Sequence, residues 1–286
     1  MAYDNDRVLA QVKLLATVSE GRYTDQELLD LAYDQLIAEV CPLLITVREE
    51  YLVRTVEEAI VANVARHSVY ARALGNTLRD VKTVNGTTVT ELWRVDEEEA
   101  IETTGTPSGF YLEGNYIVLT PVPATTTGNL RQSYYARPGK LVPVAEAARI
   151  TAINTATMTV TCAFPSTWTT ANTFDLVKAK GGFEHLGLDY AASAVAGGAI
   201  TFTASLPSNL AIGDYVALAG ESPVPQIPQE LHPLLVQMTV SRVLESMENP
   251  AQAASEARCE KLKAAAVALL SNRVQGAPKK FKSSLV

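Results

Sequence analysis

The feature that most limits the fold is an interruption. Residues 145–228 carry only 3 Lys/Arg and 6 Asp/Glu, and they read as repeated β-prone runs: ARITAINTATMTVTCA, TFDLVKA, AITFTA and DYVALAG. Short strands at close spacing, punctuated by Gly, Pro and Asn, predict a small all-β barrel or sandwich. The proline-rich stretch SPVPQIP, residues 222–228, reads as the linker by which the chain leaves that module.

On both sides of the interruption the periodicity is helical. In RYTDQELLDLAYDQLIAEVCP, Thr24 and Glu27 have capping-box spacing, so each side chain can satisfy a backbone N–H that the helix leaves orphaned. Leu28, Leu29, Ala32, Leu36, Ile37 and Val40 recur on one face. Pro42 removes a donor and disfavours helical geometry at Cys41, so the helix should stop or kink there and resume to about Glu50. A shorter helix is predicted over 5–17. After the β module, PQELHPLLVQMTVSRVLESMENP predicts a helix from Pro233 to a stop before Pro250. A last helix runs from Asn249–Pro250 to near Gly276, with Leu262, Ala266 and Leu269 as its stripe.

Between the first helices and the β module lie hairpins. Asn85–Gly86 sits between two β-prone runs in DVKTVNGTTVTELW, a strong short-range hairpin signal. FYLEGNYIVLTPVP turns at Glu113–Asn115, and LRQSYYARP follows as a strand ended by Pro138. The predicted class is therefore α+β: a helical core built from both chain ends, with β-hairpins and an inserted small all-β module. The boundaries expected are 1–144 for the first part of the core, 145–225 for the inserted module, 226–275 for the second part, and 276–286 for an extended arm.

Composition decides against several functions. The chain of 286 residues is 47% apolar and 19% charged, the balance of a globular protein. Cys41, Cys162 and Cys259 are odd in number and widely spaced, giving neither a disulfide framework nor metal-ligand spacing. MAYDNDR is acidic and polar with no apolar signal core behind it, which predicts synthesis in a reducing cytoplasm. Residues 1–144 hold 13 basic against 20 acidic side chains, whereas 229–286 hold 8 against 5, within a net charge of −7. A chain acidic in front and basic behind suggests two surfaces meeting different partners.

Chemistry-bearing motifs are missing. There is no GxGxxG, P-loop, HExxH or GxSxG, so neither an enzyme nor a cofactor is expected. His67, His185 and His232 are scattered and read as solvated or core-satisfied. Asp96–Glu99 reads as a solvated helix start whose carboxylates favour the helix dipole. Of Tyr134 and Tyr135, strand alternation would bury one ring and expose the other. Trp168 is a weak sugar-stacking candidate, and Trp93 is expected in or at the edge of the core. The tail GAPKKFKSSLV stands apart. Lys279, Lys280 and Lys282 flank Phe281 beyond the helix breakers Gly276 and Pro278, and the apolar Leu285 and Val286 have no place in a purely solvating terminus.

In order and pattern, YTDQELLDLAYDQL, VREEYLV, GFYLEGNYIVLTPVP, LRQSYYARPGKLV and IPQELHPLLVQ resemble the head-to-tail adaptor (connector) proteins of tailed bacteriophages. The similarity covers roughly 20–145 and 225–275. It implies a structural virion protein of the neck, a helical core that oligomerises into a ring, commonly twelve-fold, between portal and tail or nozzle. Genomic DNA would pass through the ring without specific binding and without a membrane. It also implies that the C-terminal segment docks on the portal, which carries over to Lys279, Lys280, Phe281, Lys282, Leu285 and Val286. The alternative reading is a tail-associated binding module, with the β insertion recognising a host surface or another tail protein. A tail-borne cell-wall hydrolase would need paired carboxylates in a cleft.

Overall fold

The computed structural model describes residues 3–18, 21–100, 103–126, 128–180 and 185–271, the side chain of His185 excepted. The fold is mixed α+β. Its contacts divide the chain into two compact units, Glu49–Pro138 and a second made of Met1–Arg48 with Gly139–Val286.

The unit Glu49–Pro138 is built of strands: β1 (Val53–Ala59), β2 (Arg66–Ser68), β3 (Ala73–Asn85), β4 (Thr88–Glu91), β5 (Trp93–Arg94), β6 (Thr104–Gly105), β7 (Gly109–Glu113), β8 (Tyr116–Thr120), β9 (Val122–Pro123) and β10 (Asn129–Ala136). They form one sheet in the order β1-β10-β3-β4, a second in the order β2-β8-β7-β5, and the small pair β6-β9. Both expected hairpins are present. Asn85 pairs with Thr88, and Gly86 opens the turn at φ +60°, which glycine adopts without steric cost. Glu113 pairs with Tyr116 around Gly114. Val81, Leu130 and Tyr134 of the first sheet share a buried cluster with Phe110, Ile117 and Leu119 of the second.

Tyr134 and Tyr135 do not alternate as expected; both are buried. The register of β10 against β3 shifts on either side of Tyr134, and a bulge breaks the period-2 pattern on which alternation rests. Tyr135 then donates its hydroxyl to Glu49 Oε2 at 2.6 Å, while Tyr134 lies 5.2 Å from the Tyr70 ring.

The second unit carries the helices α1 (Asn5–Ala16), α2 (Asp25–Gln35), α3 (Cys41–Arg48), α4 (His232–Ser246) and α5 (Gln252–Ser271). The Thr24–Glu27 capping box is formed in both directions. The chain does not stop at Pro42. A π-helical turn, Leu36–Val40, leads straight into α3, and such a turn absorbs the missing proline donor as a local widening. Helices α1, α2 and α5 all pack on α4. Surrounded in this way, α4 buries every residue from Leu234 to Ser241, as a helix with partners on several sides must. Its polar members are satisfied: Gln237 Nε2 donates to Ser255 Oγ at 2.7 Å and Thr239 Oγ1 to the Leu235 carbonyl at 2.8 Å. The buried stripe of α5 is Ser255, Cys259, Ala266 and Leu270. Leu269, expected in that stripe, faces solvent.

Within this unit the charge-poor segment forms a closed six-stranded barrel. Its strands are β12 (Ala148–Asn154), β13 (Thr159–Cys162), β14 (Thr173–Val177), β15 (His185–Ala196), β16 (Ala199–Phe202) and β17 (Tyr215–Leu218), in the order β12-β13-β16-β15-β14-β17. Pairing of Ala148 with Val216 completes the circle, which removes the open edges that an unprotected sheet would present. Phe174, Phe202, Ile150 and Val160 fill the interior. Two buried carboxylates stitch its loops. Asp175 accepts from the N–H groups of Asp189 and Gly220, both at 2.9 Å, and Asp214 from those of Ala179 and Ala211.

Two short strands flank the barrel, β11 (Lys140–Leu141) before it and β18 (Glu221–Ser222) after it. They pair in parallel, Leu141 opposite Ser222. Gly139 is needed at this junction, because a Cβ there would lie 2.9 Å from the Glu221 carbonyl carbon. The stretch 222–228, read from sequence as a linker, is buried throughout. Ser222 donates to the Val224 carbonyl, Gln226 Oε1 accepts from Gly139 N at 2.6 Å, and Asn5 N donates to the Pro223 carbonyl at 2.9 Å. Its prolines suit such a strap, since they present fewer N–H groups that would need partners.

Candidate interaction surfaces

The tail residues Lys279, Lys280, Phe281, Lys282, Leu285 and Val286 lie outside the described residues, as does the rest of 272–286. The surfaces that can be built from side chains are elsewhere.

Groups capable of chemistry are embedded singly. Burial pushes the Cys41 thiol up to about 12 and the Cys162 thiol up to about 11, so both are inert thiols at neutral pH. His67 is buried with Nδ1 3.4 Å from Glu58 Oε2 and no hydrogen bond at Nε2. His232 is buried beneath Tyr3, ring centroids 4.3 Å apart, with Nε2 3.3 Å from the Ile227 carbonyl. Desolvation pulls its pKa down to about 4, so it is neutral at physiological pH. Among the described residues no group of three or more His, Cys, Asp or Glu is placed to hold a metal ion. The acidic run forms a single 3-10 turn, Glu97–Glu99, after Asp96, without a side-chain cap.

Of the two tryptophans, Trp93 departs from its expected place and Trp168 does not reach the surface. Trp168 lies inside the barrel, stacked parallel to Phe164 at 6.0 Å and tilted on Phe174 at 5.2 Å, out of reach of a sugar. Trp93, expected in or near the core, is 72% exposed. The reason is in ELWRV: Leu92 points inward and is buried, so its neighbour on an extended chain must face out. Trp93 overlooks a cleft of about 430 Å³ floored by Phe110 and Leu78 and rimmed by Arg79, Arg94, Asp80 and Glu91. Glu49 holds Arg79 at 2.9 Å. An exposed Trp beside arginines over an apolar floor is the composition of a protein-binding hot spot.

A second groove, about 380 Å³, lies in the helical unit above Met238 and Cys259. Its charges are largely paired: Lys263 bridges Glu39 at 2.9 Å and Glu260 at 3.2 Å, and Arg242 meets Glu245 at 2.6 Å. Exposed apolar side chains also mark the ends of two helices of this unit. Leu14 is 77% and Leu15 45% exposed on α1; Leu269 is 68% exposed on α5, with Val267 beside it.

No protein-family model matches the sequence, and no curated protein matches it.

Proposed function

We propose that this chain is a structural head-to-tail adaptor of a tailed bacteriophage, a subunit of a ring that joins the portal to the tail or nozzle and leaves a passage for DNA. The observation that carries the reading is the way the helical unit closes. Helix α4, which follows the barrel in sequence, is packed by α1 and α2 from the front of the chain. The helical core is thus made of both chain ends, as the periodicity predicts, and a helical core is what the resemblance to adaptor proteins implies. The stretches that carry the resemblance fall on the elements of that architecture: α2 and α4 in the helical unit, the β7–β8 hairpin and β10 in the other.

Two further features support it. Residues 1–228 hold 26 acidic against 16 basic side chains, a surplus that keeps duplex DNA from sticking, because tight binding needs cations at the phosphates. The segment 276–286 supplies three lysines and an apolar Phe281, suited to steering towards an acidic crevice and anchoring there. In this reading the subunits are made in the host cytoplasm and end in the neck of the virion. No helix among the described residues is long and apolar enough to cross a membrane.

The test is attachment to the portal. Truncation of residues 277–286 is expected to abolish co-purification with portal rings while leaving the circular dichroism spectrum and melting temperature unchanged. A truncated protein that attaches as well as the full chain removes the arm from the proposal. Absence of an additional ring of this chain on the portal ring in negative-stain images of the mixture removes the adaptor role itself.

A further inference from the structure

We propose that the cleft below Trp93 is a saccharide site, one that takes a neutral pyranose stacked on the indole. The inference stands apart from the ring reading, because every residue it uses lies in the unit Glu49–Pro138.

The cleft is lined by Asn76–Val81 of β3 and Glu91 of β4 from the first sheet, and by Trp93, Arg94, Phe110 and Leu112 from the second. Its volume, about 430 Å³, falls within the ~300–1,000 Å³ of small-molecule sites. One flat apolar surface meets several polar groups there. The indole of Trp93 is 72% exposed, and a pyranose presents on one face a set of C–H groups that can lie flat against such a ring. The hydroxyls at the edge of the sugar each donate and accept, so they need partners of both kinds. The cleft supplies both: the Asn76 amide and the Arg94 guanidinium donate, while the carboxylates of Asp80 and Glu91 accept.

Charge and extent set the class of ligand. Two guanidiniums, Arg79 and Arg94, are matched by two carboxylates, Asp80 and Glu91, so the lining favours neither an anion nor a cation. Arg79 is held by Glu49 at 2.9 Å, and Asp80 by Ser133 at 2.6 Å and Lys82 at 3.3 Å. Glu91 and Arg94 are exposed and have no side-chain partner among the described residues, which leaves them available to a ligand. Of the large apolar side chains in the lining, Trp93 and Leu112 are exposed. Beside them β4 shows Val89 among Thr88, Thr90 and Glu91, and the acidic run Asp96–Glu99 follows β5. A protein partner would need about 800 Å² of matching surface; a single sugar ring needs only the indole and its polar rim.

The chain has two tryptophans, and Trp168 is buried inside the barrel, so acrylamide quenching of the full-length protein reports chiefly Trp93. The probes are cellobiose, maltose, lactose and N,N′-diacetylchitobiose, with cellohexaose and chitohexaose as longer chains. At least one disaccharide is expected to reduce the quenching saturably, bringing Trp93 towards the accessibility of Trp168. A hexasaccharide that binds more tightly than its disaccharide marks the ligand as a glycan chain, and equal affinity marks a free sugar. In calorimetry with the same probe, Trp93→Ala is expected to abolish binding and Trp93→Tyr, which keeps an aromatic platform, to retain it in weakened form. Arg94→Ala is expected to weaken binding roughly tenfold, as the loss of one charge-assisted hydrogen bond does. A panel in which no saccharide protects the indole overturns the proposal, and so does binding that survives Trp93→Ala undiminished. Protection of Trp93 by portal rings and by none of the sugars makes the cleft a protein contact and overturns it as well.

Discussion

The side-chain amide of Asn5 donates to the carbonyl of Ser222 at 2.8 Å, joining positions 217 residues apart, and the same nitrogen donates to the Val142 carbonyl at 2.7 Å. One buried side chain on the first turn of α1 thus holds the chain both where it approaches the barrel and where it leaves.

Asn5→Ala removes both donations; the Ser222 carbonyl keeps the Val142 N–H at 3.1 Å, so the buried Val142 carbonyl is the one left without its donor. Such a group costs about 1–3 kcal/mol, so a loss of about 2 kcal/mol is expected, a fall in Tm of roughly 4–8 °C for a unit of this size. Thermal denaturation followed by circular dichroism measures it. A variant that melts with the wild type shows that this junction is not where the unit is held.

Acid should loosen the helical unit through His232. Burial depresses its pKa in the folded chain to about 4 from the ordinary 6.5, so as pH falls below 6.5 the unfolded chain takes up a proton that the folded chain refuses. The stability contribution is complete above pH 6.5 and is lost down to about pH 4, amounting to as much as about 3 kcal/mol. Urea midpoints at pH 7, 5.5 and 4 should decline over that window, and the decline should flatten in His232→Gln. An equally steep decline in the variant assigns the effect to other groups.

Trp93→Ala should leave stability within about 0.5 kcal/mol of the wild type, the usual range for an exposed substitution. Phe174→Ala in the barrel should cost about 3–5 kcal/mol. Chemical denaturation of both variants provides the comparison. A Trp93 variant as damaged as the Phe174 one would place the indole in a core.

The barrel should be removable only along the right seam. Excising residues 148–218 keeps β11, β18 and the buried strap, and the helical unit should remain folded. Excising 145–225 deletes Ser222, Pro223 and Val224, the groups against which Asn5 and Gly139 are set, and should yield a less stable or unfolded product. Equal helical circular dichroism and melting for the two deletions would show that the strap contributes nothing.

Much of this architecture was legible because it is written in local chemistry. The capping box at Thr24 and Glu27, the turns at Gly86 and Gly114, and the helix starting near Pro233 each follow from residues a few positions apart. The features that were not legible depend on distant partners. SPVPQIP has a linker's composition, and only the presence of Asn5 and Gly139 beside it turns it into core. Tyr135 is buried because a bulge in β10 cancels the alternation that would have exposed it, and a bulge leaves no reliable mark in sequence. Leu269 sits at a helical spacing that fits a stripe, but the buried row of α5 is the neighbouring one, Cys259–Ala266–Leu270. Of the candidate surfaces, only Trp93 was there to be found, in the alternation from Leu92. The basic tail was conspicuous in sequence for the opposite reason, since its charge departs from everything before it.

The parallel pairing of β11 with β18 has an evolutionary consequence. Where the chain runs into the barrel and where it comes out are adjacent strands, about 4.8 Å apart, so the barrel behaves as a cassette on a fixed socket. A shorter, longer or wholly different domain whose ends lie equally close could replace it by recombination if it also covered Val224, which packs with Val177, Tyr215 and Ala217 of the barrel. Diversification is thereby confined to the cassette while the socket stays constant, and a chimera carrying a foreign small domain between Ala147 and Ala219 should inherit the helical unit intact.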